Sequence, residues 1–518
     1  MTASIGPIDR SDPQADAVSY LEAPGTLSAT DAARRIDTHA AYIFLAGDRA
    51  WKMKRAVRFP YLDFSTVEQR HAALSAELEL NRRSAPELYL AIHPLCRSES
   101  GAFRIGEGAE VVDWLLEMRR FPDDALLEQL AERDGIDDEL VMRLADRIAA
   151  FHAAAATGES GGHAMIAAVI RGNEESLARH GDLFSKTEVG WLIKRQSDIG
   201  KQWSGLLDAR AGRGRVRHGH GDLHLANIAV IDGEPVLFDC LEFDKALATT
   251  DVLYDLAFLI MDLWDRGMRR QANGLLNRYL DVSPDDEDGL PLLPLFLSVR
   301  ATIRAHALAA QAASTVESGP VIERARGYFS LATGLLADGD RARLVAIGGL
   351  SGSGKSTIAR IVGGEVGRAP GARIVRSDVL RKRLAGLPPE QPLKTVAYSK
   401  TASEAVYRAM SELAAVALGA GQSAIADAVF AKRAERDAIG DTAVRSAATF
   451  VGIWLEAPST TLRTRIDKRS NDASDADLAV ARLQEGYDIG DLGNWHHVGA
   501  TGEREEVAER VRAILSLG

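Results

Sequence analysis

The chain has 518 residues, 46% of them hydrophobic and 26% charged, with a formal net charge of -11 at pH 7. One hydrophobic core does not serve a chain of that length, and about three domains of ordinary size are expected. The acidic balance excludes a global basic field for nucleic acid. The only cysteines, Cys96 and Cys240, lie far apart and form no CxxC pair, which argues against disulfides and a thiolate zinc site. The opening residues MTASIGPIDRSDPQ hold no apolar run, so no secretory signal is read there. The stretch LAFLIMDLW is too short to span a membrane and carries Asp262. A cytoplasmic protein without membrane contact is expected.

Residues 1–30, rich in Pro, Asp and Ala, are expected to be loosely ordered. AAYIFLAGDRAWKMKRAV then predicts two strands around a Gly47-Asp48 turn. In STVEQRHAALSAELELNRR, Ser65 followed three residues later by Glu68 has the pattern of a capping box opening a helix. Short strands follow near Tyr89–Pro94, Ala102–Ile105 and Val111–Met118, and residues 124–201 read as helical. The polar stretch HGHGDLHLAN, His218–Asn227, precedes IAVIDGEPVLFD, a hairpin signal through Asp232-Gly233. A second helical region covers 252–336, and ADGDRAR, 337–343, is a polar linker. Beyond it, the runs LVAIGGL, ARIVRSD, SAIADAVF and ATFVGIWLEA are each nearly all apolar and each leads into a helical segment. Such runs predict buried parallel strands.

GLSGSGKS, Gly349–Ser356, matches G-x-x-x-x-G-K-[ST] between a predicted strand and a predicted helix. Gly349, Gly352 and Gly354 let backbone N–H groups, including those of Ser353 and Thr357, turn toward phosphate oxygens at a helix N-terminus. Lys355 is placed to reach the β- and γ-phosphates of ATP, and Ser356 to ligate Mg²⁺. In RSDVLRKRL, Asp378 and Arg381 follow the second strand at the carboxyl edge of the sheet. The carboxylate suits proton removal from an acceptor hydroxyl, and the guanidinium suits an anionic substrate or the transferring phosphate. Asp427 ends the third strand, as a group for Mg²⁺ or for substrate. TLRTRIDKRS offers Arg463, Arg465 and Arg469 over the triphosphate.

The loop at 218–227 has two readings. His218, His220 and His224, with Asp222, have spacing that a metal site uses. Alternatively, Asp222 and Asn227 lie five apart, and Asp239 follows twelve residues beyond Asn227, after the hairpin. Asp, Asn, hairpin, Asp is the order of a protein-kinase-like catalytic loop. Asp222 then deprotonates an acceptor hydroxyl, and Asn227 and Asp239 hold Mg²⁺, whose taste is for oxygen ligands. Lys52 and Lys54 share one face of a strand, and one of them is needed for the ATP α/β-phosphates; Lys54 is preferred, with Glu77 its partner. Glu242 and Asp244 follow Asp239, suited to a second Mg²⁺ or to a cationic acceptor.

HGDLHLAN with LFDCLEFD and DVLYDLAFL resembles the aminoglycoside phosphotransferase and choline kinase superfamily over roughly 35–335. That resemblance implies that the histidines support the loop and that Asp251, or else Asp255, anchors it. The Walker A loop, SDVLR and AIADAVF…ER resemble P-loop kinases grouped around polynucleotide 5′-hydroxyl kinase, zeta toxin and gluconate kinase, over about 342–518. It implies ATP-dependent transfer to a small hydroxyl acceptor, with Asp378 as base. The expected architecture is an α+β, protein-kinase-like bilobal domain at 31–336, with an N-lobe at 31–120 and a C-lobe at 121–336. The 337–343 linker joins it to an α/β P-loop domain with a mostly parallel sheet at 344–518. The expected function is a bifunctional kinase using ATP and Mg²⁺. A binding or regulatory first half, or a nucleic-acid 5′-hydroxyl kinase, are the alternatives.

Overall fold

The computed structural model describes residues 12–516 apart from 30, 39, 60–61, 134, 160, 314–317, 338, 340, 392, 394–398, 468–483 and 485. Two compact units are formed. The first takes the chain up to Leu140, Ala150–Glu159 and Gly214–Asp255; the second takes Val141–Ala149, Ser160–Arg213 and everything from Leu256 on.

The first unit begins with a helix, α1 (Ala15–Glu22), where a loose segment is expected. Three small or aliphatic side chains, Ala17, Val18 and Leu21, bury against Tyr42, Phe44, Met53, Leu95 and Leu115, so packing overrides the polar composition. The strands β1 (Arg34–Asp37), β2 (Ala41–Ala46) and β3 (Arg49–Lys54) precede α2 (Val67–Arg82). After it come β4 (Tyr89–Arg97), β5 (Phe103–Ile105) and β6 (Glu110–Arg119). These six strands form one antiparallel sheet in the order β1-β2-β3-β6-β4-β5. The capping box of α2 sits one residue later than the sequence suggests. Thr66 accepts from Gln69 N–H and Gln69 reaches back, because the Ser65 hydroxyl is already bonded to Asp63.

Helix α3 (Asp138–Ala154) and strand β7 (Val216–His218) lead to the polar loop. The expected hairpin is β8 (Ile228–Ile231) and β9 (Glu234–Leu237). Its turn residues Asp232 and Gly233 both have positive φ, 53° and 84°, as a two-residue turn of matching twist demands. Strand β10 (Thr249–Asp251) returns antiparallel to β7.

In the second unit, helices α4 (Gly162–Ala178), α5 (Lys186–Gln202) and α6 (Ser204–Gly212) precede α7 (Val252–Asp265), α8 (Arg269–Val282), α9 (Leu293–Ala312) and α10 (Gly319–Gly334). Together with the 3₁₀ stretch before it, α9 makes a 29-residue helical run, Pro284–Ala312, long and apolar enough to cross a membrane by length and composition. Two-thirds of its most apolar window (67%) is buried inside the protein, as in the core helix of a soluble protein. A five-stranded, wholly parallel sheet follows. Its strands are β11 (Arg343–Gly348), β12 (Arg373–Arg376), β13 (Ala424–Asp427), β14 (Thr449–Glu456) and β15 (His496–Gly499), ordered β12-β13-β11-β14-β15. The sequence predicts the first four. Around them stand α11 (Lys355–Gly363), α12 (Ser377–Leu384), α13 (Lys400–Gly419), α14 (Arg433–Arg445), α15 (Ser459–Asp467) and α16 (Arg504–Leu515).

Compactness does not divide the chain at 337–343: everything from Leu256 on, the helices from α8 and the parallel sheet included, shares one unit. The reason is a polar weld between α8 and the edge strand β12. Asn273 donates to the carbonyls of Pro370 and Ala372, and Asn277 donates to Ala372 and accepts from Ile374 N–H. Arg373, 1% exposed, is bound by Glu287 (2.6 Å), Asp281 (2.9 Å) and Asn277 (3.0 Å). Gly363 on α11 permits the approach, since a Cβ there would stand 2.4 Å from Asn273 Oδ1. Partners about a hundred residues apart leave no mark on local composition, so the linker looks like a boundary in the sequence. Replacing Arg373 with Ala strands Glu287 and Asp281 in a low-dielectric site, and urea unfolding of the intact protein should show a loss of about 3–5 kcal/mol. A midpoint equal to that of the unmodified protein would show that the weld carries no stability.

Candidate functional site

The first unit assembles one charged cluster from three segments. Lys52 and Lys54, on the same face of β3, are buried beside Glu77 of α2, which is 0% exposed. Glu77 divides its carboxylate between them: Oε1 to Lys52 at 2.6 Å and Oε2 to Lys54 at 2.7 Å. Lys52 goes on to Asp239 at 2.8 Å, and Lys54 to Glu242 at 2.5 Å. Thus Lys52, and not the preferred Lys54, stands against Asp239. Burial opposes the charge on Lys52, but Asp239 and Glu77 outweigh it and hold its pKa well above the ordinary lysine value. Burial likewise opposes ionisation of Asp239, and Lys52 outweighs it, leaving the carboxyl below its usual range. Glu242 is turned inward onto Lys54 and buried, which pushes its carboxyl up despite that lysine. That places it poorly for a cationic acceptor or a second cation.

The polar loop is bolted from beneath. Asp255, 0% exposed, accepts from the N–H groups of His220 (2.8 Å) and Gly221 (2.9 Å) and contacts His152 at 3.1 Å. Asp251 instead accepts from Leu253 N–H at the start of α7. Of the two anchors the resemblance implies, the geometry selects Asp255. Two of the three histidines have structural ring partners: His220 Nε2 meets the Phe238 carbonyl at 2.9 Å, and His224 Nδ1 accepts from Ala226 N–H. Among the described residues, no three His, Cys, Asp or Glu side chains gather as a metal site. Asn227 donates through Nδ2 to the carbonyl and to Oδ2 of Asp222, both at 2.9 Å. That fixes its amide with Oδ1 as the remaining ligand atom. With the Asp239 carboxylate, the donor set is all oxygen, which fits Mg²⁺.

In the second unit, β11 delivers the chain into Gly349–Ser356. Gly352 (φ 83°) and Gly354 (φ 94°) lie in the left-handed region. A Cβ on Gly352 would stand 2.6 Å from the Leu462 carbonyl, so α15 closes on the loop only because that residue is glycine. Lys355 opens α11, its Nζ 3.1 Å from the Leu350 carbonyl. Ser356 Oγ donates to Asp427 Oδ2 at 2.5 Å, which leaves the serine oxygen free as an acceptor and fits an Mg²⁺ ligand. Strand register puts Asp427 beside Ile347 on one side and Arg376 on the other, and Arg376 Nε reaches Asp427 Oδ2 at 3.6 Å. Asp378 and Arg381 follow on α12 at the same edge, with Arg381 bonded to Ser403 Oγ at 3.3 Å. Arg465 reaches the Ser353 carbonyl at 3.5 Å. Arg469 lies outside the described residues. Arg436 holds the carbonyls of Phe430, Ala431, Ile489 and Asp491, a scaffold role. Gln484, which the sequence gives no reason to single out, accepts from Ser351 N–H at 2.8 Å.

Residues 344–487 match the AAA domain family AAA_33, and with the strand–loop–helix geometry this makes the C-terminal part a P-loop domain. Similar solved structures include a sugar kinase from Janibacter sp. HTCC2649, 22% identical, covering 34% of this chain and 95% of that one with a TM-score of 0.26. Another is the ethanolamine kinase of Plasmodium vivax, 10% identical, covering 58% of this chain and 81% of that one with a TM-score of 0.37. Uncharacterized protein Mb2027c of Mycobacterium bovis is 31% identical over 482 residues. Uncharacterized protein Rv2004c of Mycobacterium tuberculosis shows the same identity over 90% of this chain and 92% of its own length, and the chain belongs to the family of these mycobacterial proteins.

Proposed function

We propose that the chain is an ATP-dependent phosphotransferase with two nucleotide sites, each passing the γ-phosphoryl group to a hydroxyl of a small molecule. The observation that carries this reading is the connected set Lys52–Glu77–Asp239 with Asp222–Asn227, in a chain that also holds a complete P-loop. Phosphoryl transfer is catalysed mainly by positioning and charge stabilisation, and these are the groups it requires.

In the first site, Lys52 is oriented by Glu77 for the α/β-phosphates. Asp222, its Oδ2 held by Asn227, takes the proton of the acceptor hydroxyl. Bound Mg²⁺ would be held by Asn227 and Asp239, and it supplies charge neutralisation of the phosphate oxygens. In the second site, backbone N–H groups of Gly349–Ser356 cradle the phosphates, Lys355 balances their charge, and Ser356 with Asp427 suits the cation. Asp378 accepts the acceptor's proton and Arg381 holds an anionic group of the substrate. The acidic chain favours a small acceptor over nucleic acid.

Two experiments test this. With [γ-³²P]ATP and pooled small metabolites, Asp222→Ala should remove one labelled product by roughly 10²–10⁴-fold, the range for lost proton-transfer catalysis, and Lys355→Ala should remove another. Label transfer unchanged in Asp222→Ala would leave the first unit as a binding module. For the lysines, Mg·ATP binding is measured in a Lys355→Ala background. Lys52→Ala should weaken it by about 10–100-fold, as expected for a lost charge-assisted bond, and Lys54→Ala by much less. The reverse order would return the phosphate role to Lys54.

A further inference from the structure

Asp239 is a non-glycine residue with φ 61°. Left-handed backbone is uncommon in a side-chain-bearing residue, mildest for Asn and Asp, and it becomes the single conformation where the surroundings hold it. Two buried side chains do so. Asp239 N–H donates to the Tyr89 hydroxyl at 3.0 Å, and the next N–H, of Cys240, donates to Asn81 Oδ1 at 2.9 Å. These are the two amides that flank the Asp239 α-carbon, so rotation about its φ or ψ breaks one or both bonds.

The clamp is itself fixed. Asn81, 0% exposed, donates through Nδ2 to the Glu77 carbonyl at 2.9 Å, which leaves only Oδ1 for Cys240. Tyr89 is 1% exposed, and burial, with Glu77 and Asp239 nearby, raises its pKa well above the usual phenol value. Its hydroxyl oxygen accepts the Asp239 N–H at 3.0 Å. The helix that gives Glu77 to the lysines thus also gives Asn81 to the strap behind the carboxylate. Arg83, just past its end, donates to the carbonyls of His218 (2.9 Å) and Gly219 (3.3 Å). Further along, Leu241 N–H donates to the His220 carbonyl and Glu242 is held by Lys54.

We propose that Tyr89 and Asn81 are positioning residues that hold Asp239 in its left-handed conformation and thereby set the Mg²⁺ response of the first site. This rests on the reading of that site as a Mg·nucleotide site. Both residues are buried and each acts through a backbone N–H, so a merely structural role would alter stability without altering the cation requirement.

The test uses the full chain in a Lys355→Ala background, with ATP binding followed by calorimetry across a Mg²⁺ titration and with melting temperature measured in parallel. Tyr89→Phe deletes one acceptor and keeps the ring. It should raise the Mg²⁺ concentration for half-maximal ATP binding about tenfold, as loss of a supporting partner does at metal sites, and leave binding in EDTA unchanged. Asn81→Leu, which removes the acceptor for Cys240 N–H, should do the same. An unchanged Mg²⁺ half-point in folded Tyr89→Phe overturns the proposal, as does a loss of ATP affinity equal with and without Mg²⁺. If the Lys355→Ala parent shows no Mg²⁺-dependent binding, the reading of the first site fails and the proposal falls with it.

Discussion

One carboxylate with two cationic neighbours organises the first unit. Glu77 has no exposure to water, so its charge is tolerable only while both lysines face it. Those lysines in turn have one further acid each, Asp239 and Glu242, three residues apart on the segment that follows the hairpin. The lysine positions on β3, the phase of α2 and the course of residues 239–242 therefore constrain one another. A shift of any one leaves an uncompensated buried charge. Asp222 and Asn227 benefit indirectly, because the loop that bears them is tied to the same helix end through Arg83 and to Asp255 below.

The second unit uses the same physics at its edge strand. Arg373 is a cation that water does not reach, surrounded by Glu287, Asp281 and the Asn277 amide. Three residues separate it from Ser377, where α12, the helix that bears Asp378 and Arg381, begins. A strand that carries candidate site residues at its carboxyl end is thus held along its length by side chains of α8 and the turn after it. The P-loop is held differently, by close backbone approach at Gly352 and by the bond from Ser356 to Asp427.

Much of the site was legible in the sequence because its chemistry is local. Asp222 and Asn227 lie within one loop, Asp239 closes a readable hairpin, and Gly349–Ser356 sits between a strand and a helix that each announce themselves. What sequence did not yield is non-local. Lys52 and Lys54 are equivalent by strand periodicity, and only the distance to Asp239 separates them. Asp251 and Asp255 lie four positions apart and are both buried, and only their hydrogen bonds tell the anchor from the cap. Tyr89 and Asn81 act on amides 150 and 159 residues away. The parallel strands were visible as apolar runs except β15, whose sequence His-His-Val-Gly buries a single side chain at the edge of the sheet.

The weld between α8 and β12 also bears on how such a chain can change by descent. Asn273 and Asn277 take carbonyls of the stretch 370–372, and Glu287 takes the Arg373 guanidinium. A gene that exchanged everything after residue 343 for another P-loop domain would leave these groups facing a foreign surface with no matching donors and acceptors. Recombination at that junction is therefore opposed by the cost of leaving buried polar groups on both sides of it unpaired.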